Sequence, residues 1–411
     1  MPEPQARTFA LLGLHPGGEF SVPAAAALLG VSETQTRQLL DRLAVTHLVE
    51  PARRGHYRLH DLLREYAAER AAADLAEADR AAAVRRVLDW YVHTAANASD
   101  ATGYSAPRTV DPIADPRVEP LEFPDSSPAL AWAREAGATL VGVAEYAAEH
   151  GYHVPAYQLP WAMFPAWTVS QLLDELIAAA RAGYRGARHL DSLSRYHVTN
   201  TLAGGLVGAS RLDEAEPLLH ETLGHARELG DPRWVSNALN TLGAFSRQRD
   251  DVDAARRYLR EAVAVARTAG LWRAEATALT NTATCEIYNG TVSDGIAPSE
   301  AALAIYAEHG ASAVLRGMVV TLLALAHSKL GHLERALEYA DQAVGLFEES
   351  GTGPAHWLQP IGEVYVRAGR TAEARAALEQ VVAALAGQPD HPDLARARDL
   401  LAGLDPDQPP A

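Results

Sequence analysis

The segment ARELGD, residues 226–231, returns in altered form as ARTAGL at 266–271, YAEHGA at 306–311 and FEESGT at 347–352. The glycines of these segments follow one another at steps of 40, 40 and 41 residues. A small residue keeps the same period, 15 positions before each glycine. These small residues are Ala215, Ala255, Gly295, Ala336 and, in a fifth unit that arrives slightly early, Ala374. A fixed period of this length, with apolar residues at helical spacing, predicts stacked helix pairs from about Leu193 to about Leu385.

The repeated unit resembles a tetratricopeptide repeat. Twelve residues before each landmark lies another small residue, at which the two helices of a unit are expected to touch: Ala203, Gly243, Ala283, Ala324 and Gly362. The residue before it is apolar in every unit except the third, where it is Thr282. The period exceeds the usual ~34 residues, so each helix is expected to be about a turn longer. The resemblance implies an α-α superhelix of about five repeats over residues 191–405.

In such a stack the first helices of the pairs line the concave surface, so recurring positions on them form a column across a groove. Three places before the small residue the column is polar and uncharged: Asn200, Asn240, Thr280, Thr321 and Gln359. Such side chains can hydrogen-bond the backbone of an extended peptide, and Arg247, Lys329 and Arg367 further along can hold a carboxylate. We therefore predict binding of a peptide, a protein or a small molecule. The alternative is that these positions are polar because the groove is wet.

Composition limits the classes of protein. The chain has 411 residues, 48% of them hydrophobic, and a net charge of −16, which gives no global attraction to nucleic acid. Cys285 is the single cysteine, so an internal disulfide is excluded and a cytoplasmic location is expected. Neither a secretory leader nor a membrane-spanning stretch is evident. Lys329 is the single lysine, and no phosphate-binding glycines precede it, so a Walker A nucleotide site is not expected.

Residues 1–73 predict a winged-helix domain of three helices and a two-stranded wing. Ser21 and Ser32 are expected to cap the second and third helices. The third helix could read DNA, with Arg37 and Arg42 on it and Arg53 and Arg54 in the wing. However, eight arginines are balanced by eight acids over these residues, whereas DNA-reading domains usually carry a basic face. The charge favours a protein-packing role over DNA binding.

The run LLGLHPGGEFSVPAAAALLG (11–30), with LLDRLAVTHLVE (39–50) and GHYRLHDLLREYAAERA (55–71), is similar to the winged-helix domain of AfsR-like, SARP-type regulators of actinobacteria. These regulators belong to the signal-transduction ATPases with numerous domains. The resemblance implies that Leu59-His60-Asp61 corresponds to their methionine-histidine-aspartate motif. His60 would then face the phosphates of ADP in a neighbouring NB-ARC nucleotide-binding domain. The alternative is a histidine that makes a local hydrogen bond between strand and helix.

Asp61 is expected to cap the following helix. Since family members place a DNA-binding region and the ATPase before this point, the chain is expected to be a fragment or a naturally reduced protein. No cofactor is expected in the chain itself, and ADP or ATP would be bound through the missing domain.

Between the winged helix and the repeats, residues 74–128 predict a helix followed by a proline-rich connector. Residues 129–190 predict irregular helical pairs at the start of the solenoid, and the helix that begins near Val154 is expected to be interrupted. Trp161, Phe164 and Trp167 are expected to be buried, and the alternative is that they contact a partner. The fold class is therefore all-α with a small β-wing.

Signals of catalysis fail on spacing. His220 and His225 in HETLGH are five residues apart instead of four, so they diverge around a helix. His56 with His60, and His150 with His153, lack further metal ligands. Cys285 lies in an apolar helix, where packing is the better interpretation. The sequence predicts no enzyme and no metal site.

The leading hypothesis is a regulatory and sensor module, in which the repeats receive a signal and the winged helix passes it to a nucleotide-binding domain in cis or in trans. One alternative is a free-standing DNA-binding regulator with a ligand-sensing repeat domain, although charge disfavours DNA. Another is a repeat scaffold. A membrane partner is not expected, and the sequence leaves a homo-oligomer open.

Overall fold

The structure is a computed structural model, and it describes residues 2–53, 55–103, 110–350, 355–386 and 392–404. It divides into two compact units, Met1–Arg211 and Leu212–Ala411. The domain limits predicted from the sequence, at 73, 128 and 190, stay predictions.

The first unit begins with helices and three strands. Its strands are β1 (Glu19–Ser21), β2 (Glu50–Arg53) and β3 (His56–Arg58). Its helices are α1 (Glu3–Leu12), α2 (Val22–Leu29), α3 (Glu33–Val45), α4 (Asp61–Asp74), α5 (Glu77–Asp100), α6 (Ser126–Glu149), α7 (His153–Val169), α8 (Leu173–Arg185) and α9 (Ser192–Gly208), with a 3₁₀ helix at Ala187–His189.

The predicted caps are present at the start of the chain. The hydroxyl oxygens of Ser21 and Ser32 accept hydrogen bonds from the backbone N–H groups of Ala24 and Gln35, and so cap the N-termini of α2 and α3. The predicted two-stranded wing has a third strand, because β1 pairs with β3 and gives the antiparallel order β1-β3-β2. Phe20 on β1 is buried, and this burial holds the short strand in the sheet.

The prediction that Asp61 caps α4 is wrong. His60 occupies the N-cap position without a side-chain hydrogen bond to the helix, and Asp61 is the first helical residue. The Asp61 carboxylate there still complements the positive end of the helix dipole. The chain from 62 to 98 forms two helices, because the backbone is extended at Leu75 between α4 and α5.

The described part of the connector, residues 110–125, lies along one side of α5. Trp90 donates its indole N–H to the Glu119 carbonyl at 3.0 Å, and Asn97 donates to the Leu121 carbonyl at 2.8 Å. The Leu121 N–H donates to the Thr94 hydroxyl at 3.2 Å. Prolines keep this segment out of helix and sheet, so side chains of α5 satisfy its backbone groups.

Helix α7 is continuous, although the sequence predicted an interruption at its prolines. Pro160 and Pro165 lie inside it, and Pro160 leaves the Ala156 carbonyl without its helical donor. Gly183 of α8 approaches that carbonyl so closely that a side chain at this position would come within 2.9 Å of it. Close packing of α8 thus supports the helix. Trp161 and Trp167 are buried as predicted, and Phe164 is half-buried.

The second unit consists of helix pairs. Its helices are α10 (Leu212–Leu229), α11 (Pro232–Gln248), α12 (Val252–Thr268), α13 (Trp272–Asn289), α14 (Ile296–Glu308), α15 (Ala313–Lys329), α16 (Leu333–Glu349), α17 (Ala355–Arg367), α18 (Thr371–Ala384) and α19 (Pro392–Gly403). A 3₁₀ helix at Val292–Gly295 precedes α14. Most of these helices have 17 or 18 residues, which accounts for the long repeat.

The predicted contacts at small residues are present. A side chain at Gly243 of α11 would meet Leu259 of α12 at 2.5 Å, and one at Gly362 of α17 would meet Leu378 of α18 at 2.6 Å. Ala283 and Ala324 are fully buried at the equivalent positions of α13 and α15. In each pair the two helices therefore touch at a small residue, and the packing leaves no space for a larger side chain there.

Successive first helices also pack directly against each other: α11 on α13, α13 on α15, α15 on α17 and α17 on α19. We call these five helices the first-helix layer. Ion pairs also join this layer to the neighbouring layer. In one of them Arg256 of α12 holds buried Glu286 of α13 through two hydrogen bonds of 2.7 and 2.6 Å.

Candidate ligand-binding surface

The polar column predicted on the first helices differs from residue to residue. Thr280 and Thr321 are buried and donate their hydroxyl hydrogens to the carbonyls of Ala276 at 2.8 Å and Gly317 at 2.9 Å, four residues earlier in the same helix. Either threonine would have to break this bond in order to donate to a ligand. Burial also keeps these two hydroxyls away from a ligand in the described structure.

The amides of the column have different environments. Asn240 of α11 accepts a hydrogen bond at 3.0 Å from the side chain of Asn281 on α13, so the two amides bridge adjacent repeats. Gln359 of α17 is buried, and its Nε2 has no hydrogen-bond partner in the described part of the chain. Asn200 belongs to α9 of the first unit, is half-buried, and its Oδ1 likewise has no partner among the described residues. A buried amide without a partner costs free energy that a bound polar group can recover.

The predicted cations lie on three helices of the first-helix layer, α11, α15 and α17. Arg247 is half-buried on α11, and within the described part of the chain its side chain forms neither an ion pair nor a hydrogen bond. Lys329 ends α15 and donates to the carbonyl of Ile287 on α13 at 2.9 Å. Arg367 ends α17, with Nη2 at 3.8 Å from the carboxylate of Glu363. We call Arg247, Lys329 and Arg367, with Arg396 of α19, the basic row.

Glu363 is an acidic residue that lies next to two arginines of this row. Its carboxylate is 3.4 Å from Arg396 and 3.8 Å from Arg367, and its side chain is mostly buried. Both distances are longer than those of a well-formed bidentate pair, and both arginines are about half exposed. Such pairs contribute little to stability, so both guanidinium groups can reorient toward a ligand.

Sequence reasoning missed Tyr288 at the same surface. It lies on α13 five residues after Ala283, the register that Lys329 and Arg367 hold after their own small residues, and this shared register was the signal to find it. The Lys329 ammonium lies 4.9 Å from the centre of its ring. Partial burial of the Tyr288 hydroxyl, with help from the charges of Asp393 and Glu363, raises the pKa of this half-exposed residue to about 12. The phenol is therefore protonated at neutral pH and is available as a hydrogen-bond donor.

His60 is exposed at the start of α4 in the first unit, next to exposed Asp61. Its backbone geometry is that of an N-cap residue, so the free N–H groups of the first turn of α4 lie beside it. A helix start of this kind favours a nearby anion, and its role toward a nucleotide stays a prediction.

The residues of the DNA-binding alternative are dispersed and partly neutralised. Arg37 and Arg42 are exposed on α3. Arg53 of β2 forms ion pairs with both Glu19 of β1 and Glu135 of α6. Arg54 lies outside the described residues. The charge of Arg53 thus holds β2 against α6, and contact with DNA phosphates would require that same charge.

The sites rejected from the sequence show ordinary structural roles. His225 lies 3.3 Å from Glu221 in the same helix, while His220 is exposed. Cys285 is buried, and burial together with Glu286 raises the pKa of its thiol. In the described residues, no three histidine, cysteine or carboxylate side chains are placed to hold a metal ion. Within the same ranges, no helix is both long and apolar enough to cross a membrane.

The tetratricopeptide-repeat family matches this chain twice, at residues 235–269 and 319–350. These ranges cover most of the pairs α11–α12 and α15–α16.

Two curated proteins are similar to the chain over most of its length. The regulatory protein AfsR of Streptomyces coelicolor is 31% identical over 319 residues, which cover 74% of this chain and 31% of that protein. The regulatory protein AfsR of Streptomyces griseus is 28% identical over 399 residues, which cover 93% of this chain and 38% of that protein. The chain spans about a third of the length of these relatives.

Solved structures with a similar course of the chain include a signal transduction ATPase with numerous domains and a tetratricopeptide-repeat sensor from Pyrococcus horikoshii. It is 14% identical, covers 98% of this chain and 60% of that one, and has a TM-score of 0.43. A Rap protein complexed with Competence and Sporulation Factor is 12% identical, covers 78% of this chain and 96% of that one, and has a TM-score of 0.47. From its matches to the repeat family and to the two Streptomyces regulators, this chain is an AfsR-like region that contains tetratricopeptide repeats.

Proposed function

We propose that this chain is the non-enzymatic sensor part of a regulator, in which the first-helix layer binds a peptide or protein signal. The observation that carries the proposal is the basic row with Tyr288, which puts four cations and a phenol on one layer of helices. The unpartnered amide of buried Gln359 lies on the same layer. The similarity to AfsR supports a regulatory role, because both relatives are described as regulatory proteins.

The first unit would pass the signal to a nucleotide-binding domain, in cis or in trans, through its winged helix. His60 is the residue expected to face ADP there, since it is exposed beside the free N–H groups at the start of α4. In this proposal the chain holds no nucleotide by itself, and its cytoplasmic location follows from the single cysteine.

The binding role can be tested by selecting peptides from a random library on the intact chain. Selected peptides are then titrated against the wild-type chain and the double variant Asn240→Ala, Arg247→Glu. We expect the double variant to bind at least about tenfold more weakly, because it removes one amide and reverses one charge of the surface. A matched control is Arg260→Glu, which reverses an exposed arginine on α12, outside the first-helix layer. Equal affinity for wild type and double variant would show that the peptides bind elsewhere.

A further inference from the structure

The basic row contrasts with the charge of the whole chain. A net charge of −16 works against acidic ligands in general, yet four cations lie on four of the five helices of the first-helix layer. Glu363 and Asp393 lie near them and leave the local balance positive. The charge pattern therefore favours an acidic ligand at this surface and disfavours it over the rest of the protein.

The spacing of the row can be compared with that of an extended peptide. Packed helices lie about 8–10 Å apart, and an extended chain in the polyproline II conformation rises about 3.1 Å per residue and places every third side chain on the same face, so one helix step corresponds to about three residues. Tyr288 is one step from Arg247, Lys329 is two steps away, and Arg367 is three. Ligand side chains opposite these groups would recur about every third residue.

The donors at these steps suit carboxylates. Arg247 has no acidic partner among the described residues, and the Lys329 ammonium uses one of its three N–H bonds for the Ile287 carbonyl. The Lys329 ammonium is also held over the ring of Tyr288, so its position is fixed before a ligand arrives. A fixed donor loses less entropy on binding than a mobile one.

We propose that the first-helix layer binds an extended acidic peptide segment whose carboxylates lie opposite Arg247, Lys329 and Arg367. The proposal rests on the proposed function and specifies its ligand. The acidic residues of the peptide are six and three residues apart when it runs from α11 to α17, and three and six apart when it runs the other way. A side chain that accepts a hydrogen bond fits the remaining position, opposite the phenol of Tyr288.

The test uses fluorescein-labelled peptides of fourteen residues with three glutamates in a serine and glycine background. Two peptides carry the glutamates at i, i+6, i+9 and at i, i+3, i+9, and a third has them contiguous. Binding to the intact chain is measured by fluorescence anisotropy at low and at physiological salt. We expect one spaced peptide to bind at least about tenfold more tightly than the contiguous one, and its order gives the direction of binding.

Double-mutant cycles then assign each contact. We expect binding to weaken about three- to tenfold in each of the variants Arg247→Gln, Lys329→Gln and Arg367→Gln. For each variant, a change of glutamate to glutamine at the one peptide position that faces the altered residue should cause no further loss of affinity. Glu363→Gln is expected to strengthen binding, because it removes the carboxylate that competes for Arg367. Arg260→Gln serves as the control and is expected to change nothing. Circular dichroism verifies that each variant keeps its helices.

Equal binding of spaced and contiguous peptides, or cycles without coupling, would overturn the proposal in favour of diffuse attraction between charges. Lack of binding by all three peptides at millimolar concentration would also overturn it. A single-stranded oligonucleotide that displaces the spaced peptide and obeys the same cycles would make the ligand a nucleic acid instead. If library selection yields peptides that need Asn240 and Arg247 but lack spaced acids, this inference fails while the proposed function stands.

Discussion

His15 is a neutral histidine in the core of the first unit. It is 3% exposed, its Nδ1 lies 3.0 Å from both the N–H nitrogen and the carbonyl oxygen of Gly17, and its Nε2 lies 3.1 Å from the Tyr91 hydroxyl. Burial lowers the pKa of His15 to about 4, from an ordinary value of 6.5. Between these two values the unfolded chain binds a proton that the folded chain does not bind. His15 therefore contributes stability at neutral pH that is lost as the pH falls from about 6.5 to about 4.

We predict that the free energy of unfolding falls by roughly 1 kcal/mol per pH unit through this window because of His15 alone. Urea unfolding of wild type and of His15→Gln, at several pH values from 7.5 to 4.5, measures the effect, since glutamine keeps a hydrogen-bonding side chain without titrating. Other titrating groups contribute equally to both proteins. Parallel pH dependences in the two proteins would contradict the assignment.

Residue roles were predictable from the sequence where spacing decides them. The caps at Ser21 and Ser32 depend only on position in the chain, and both were predicted. Thr280 and Thr321 have the right spacing for a column, but the choice between a ligand and a carbonyl of the same helix depends on the side-chain rotamer. The ion pair that neutralises Arg53 could not be predicted from spacing in the sequence, because its partner Glu135 is 82 residues away.

At the scale of the elements, the close contact between α11 and α12 gives a direct test. Gly243→Ala would place a methyl group 2.5 Å from Leu259, and both atoms lie in the packed interior. Overpacking costs about 1–3 kcal/mol, which exceeds the gain of about 0.5–1 kcal/mol when alanine replaces a helical glycine. We therefore predict a net loss of stability, measured by thermal unfolding.

The matched control is Gly224→Ala in α10, where a side chain would meet no atom within 4 Å. There only the helix propensity changes, so the substitution should be neutral or stabilising. A stabilised Gly243→Ala variant would show that the two helices of this pair are less closely packed than described.

Helix pairs with regular apolar spacing could be predicted well, and elements that depend on distant partners could not. Strand β1 has only three residues, and it forms because it pairs with residues of β3 that lie 35 or more positions further along the chain. Helix α7 continues through two prolines because α8 packs closely on it, which propensity alone opposes. In the third repeat, Gly295 ends the 3₁₀ helix that precedes the second helix of the pair, and a side chain at this position would clash with Ile287.

At the scale of the whole molecule, charge separates the sensor hypothesis from the DNA-binding alternative. DNA affinity requires several arginines that are free to reach phosphates, and here Arg53 is paired twice on a chain with 16 excess negative charges. We predict no gel shift of random or genomic DNA fragments at about 50 mM salt, where phosphate contacts are strong. A distinct shifted band that Arg37→Ala and Arg42→Ala abolish would restore the DNA-binding alternative.

The single lysine gives the chain one side-chain amine, and that amine stands within the first-helix layer. Burial lowers the pKa of Lys329, which increases the fraction of reactive free amine at mildly alkaline pH, while its bond to the Ile287 carbonyl restrains it. An amine-selective reagent would therefore modify Lys329 as its single side-chain target, at the surface where a ligand would bind. Acylation at this one position reports occupancy of the surface, and a lysine-specific protease would cut the chain internally at the end of α15 and nowhere else.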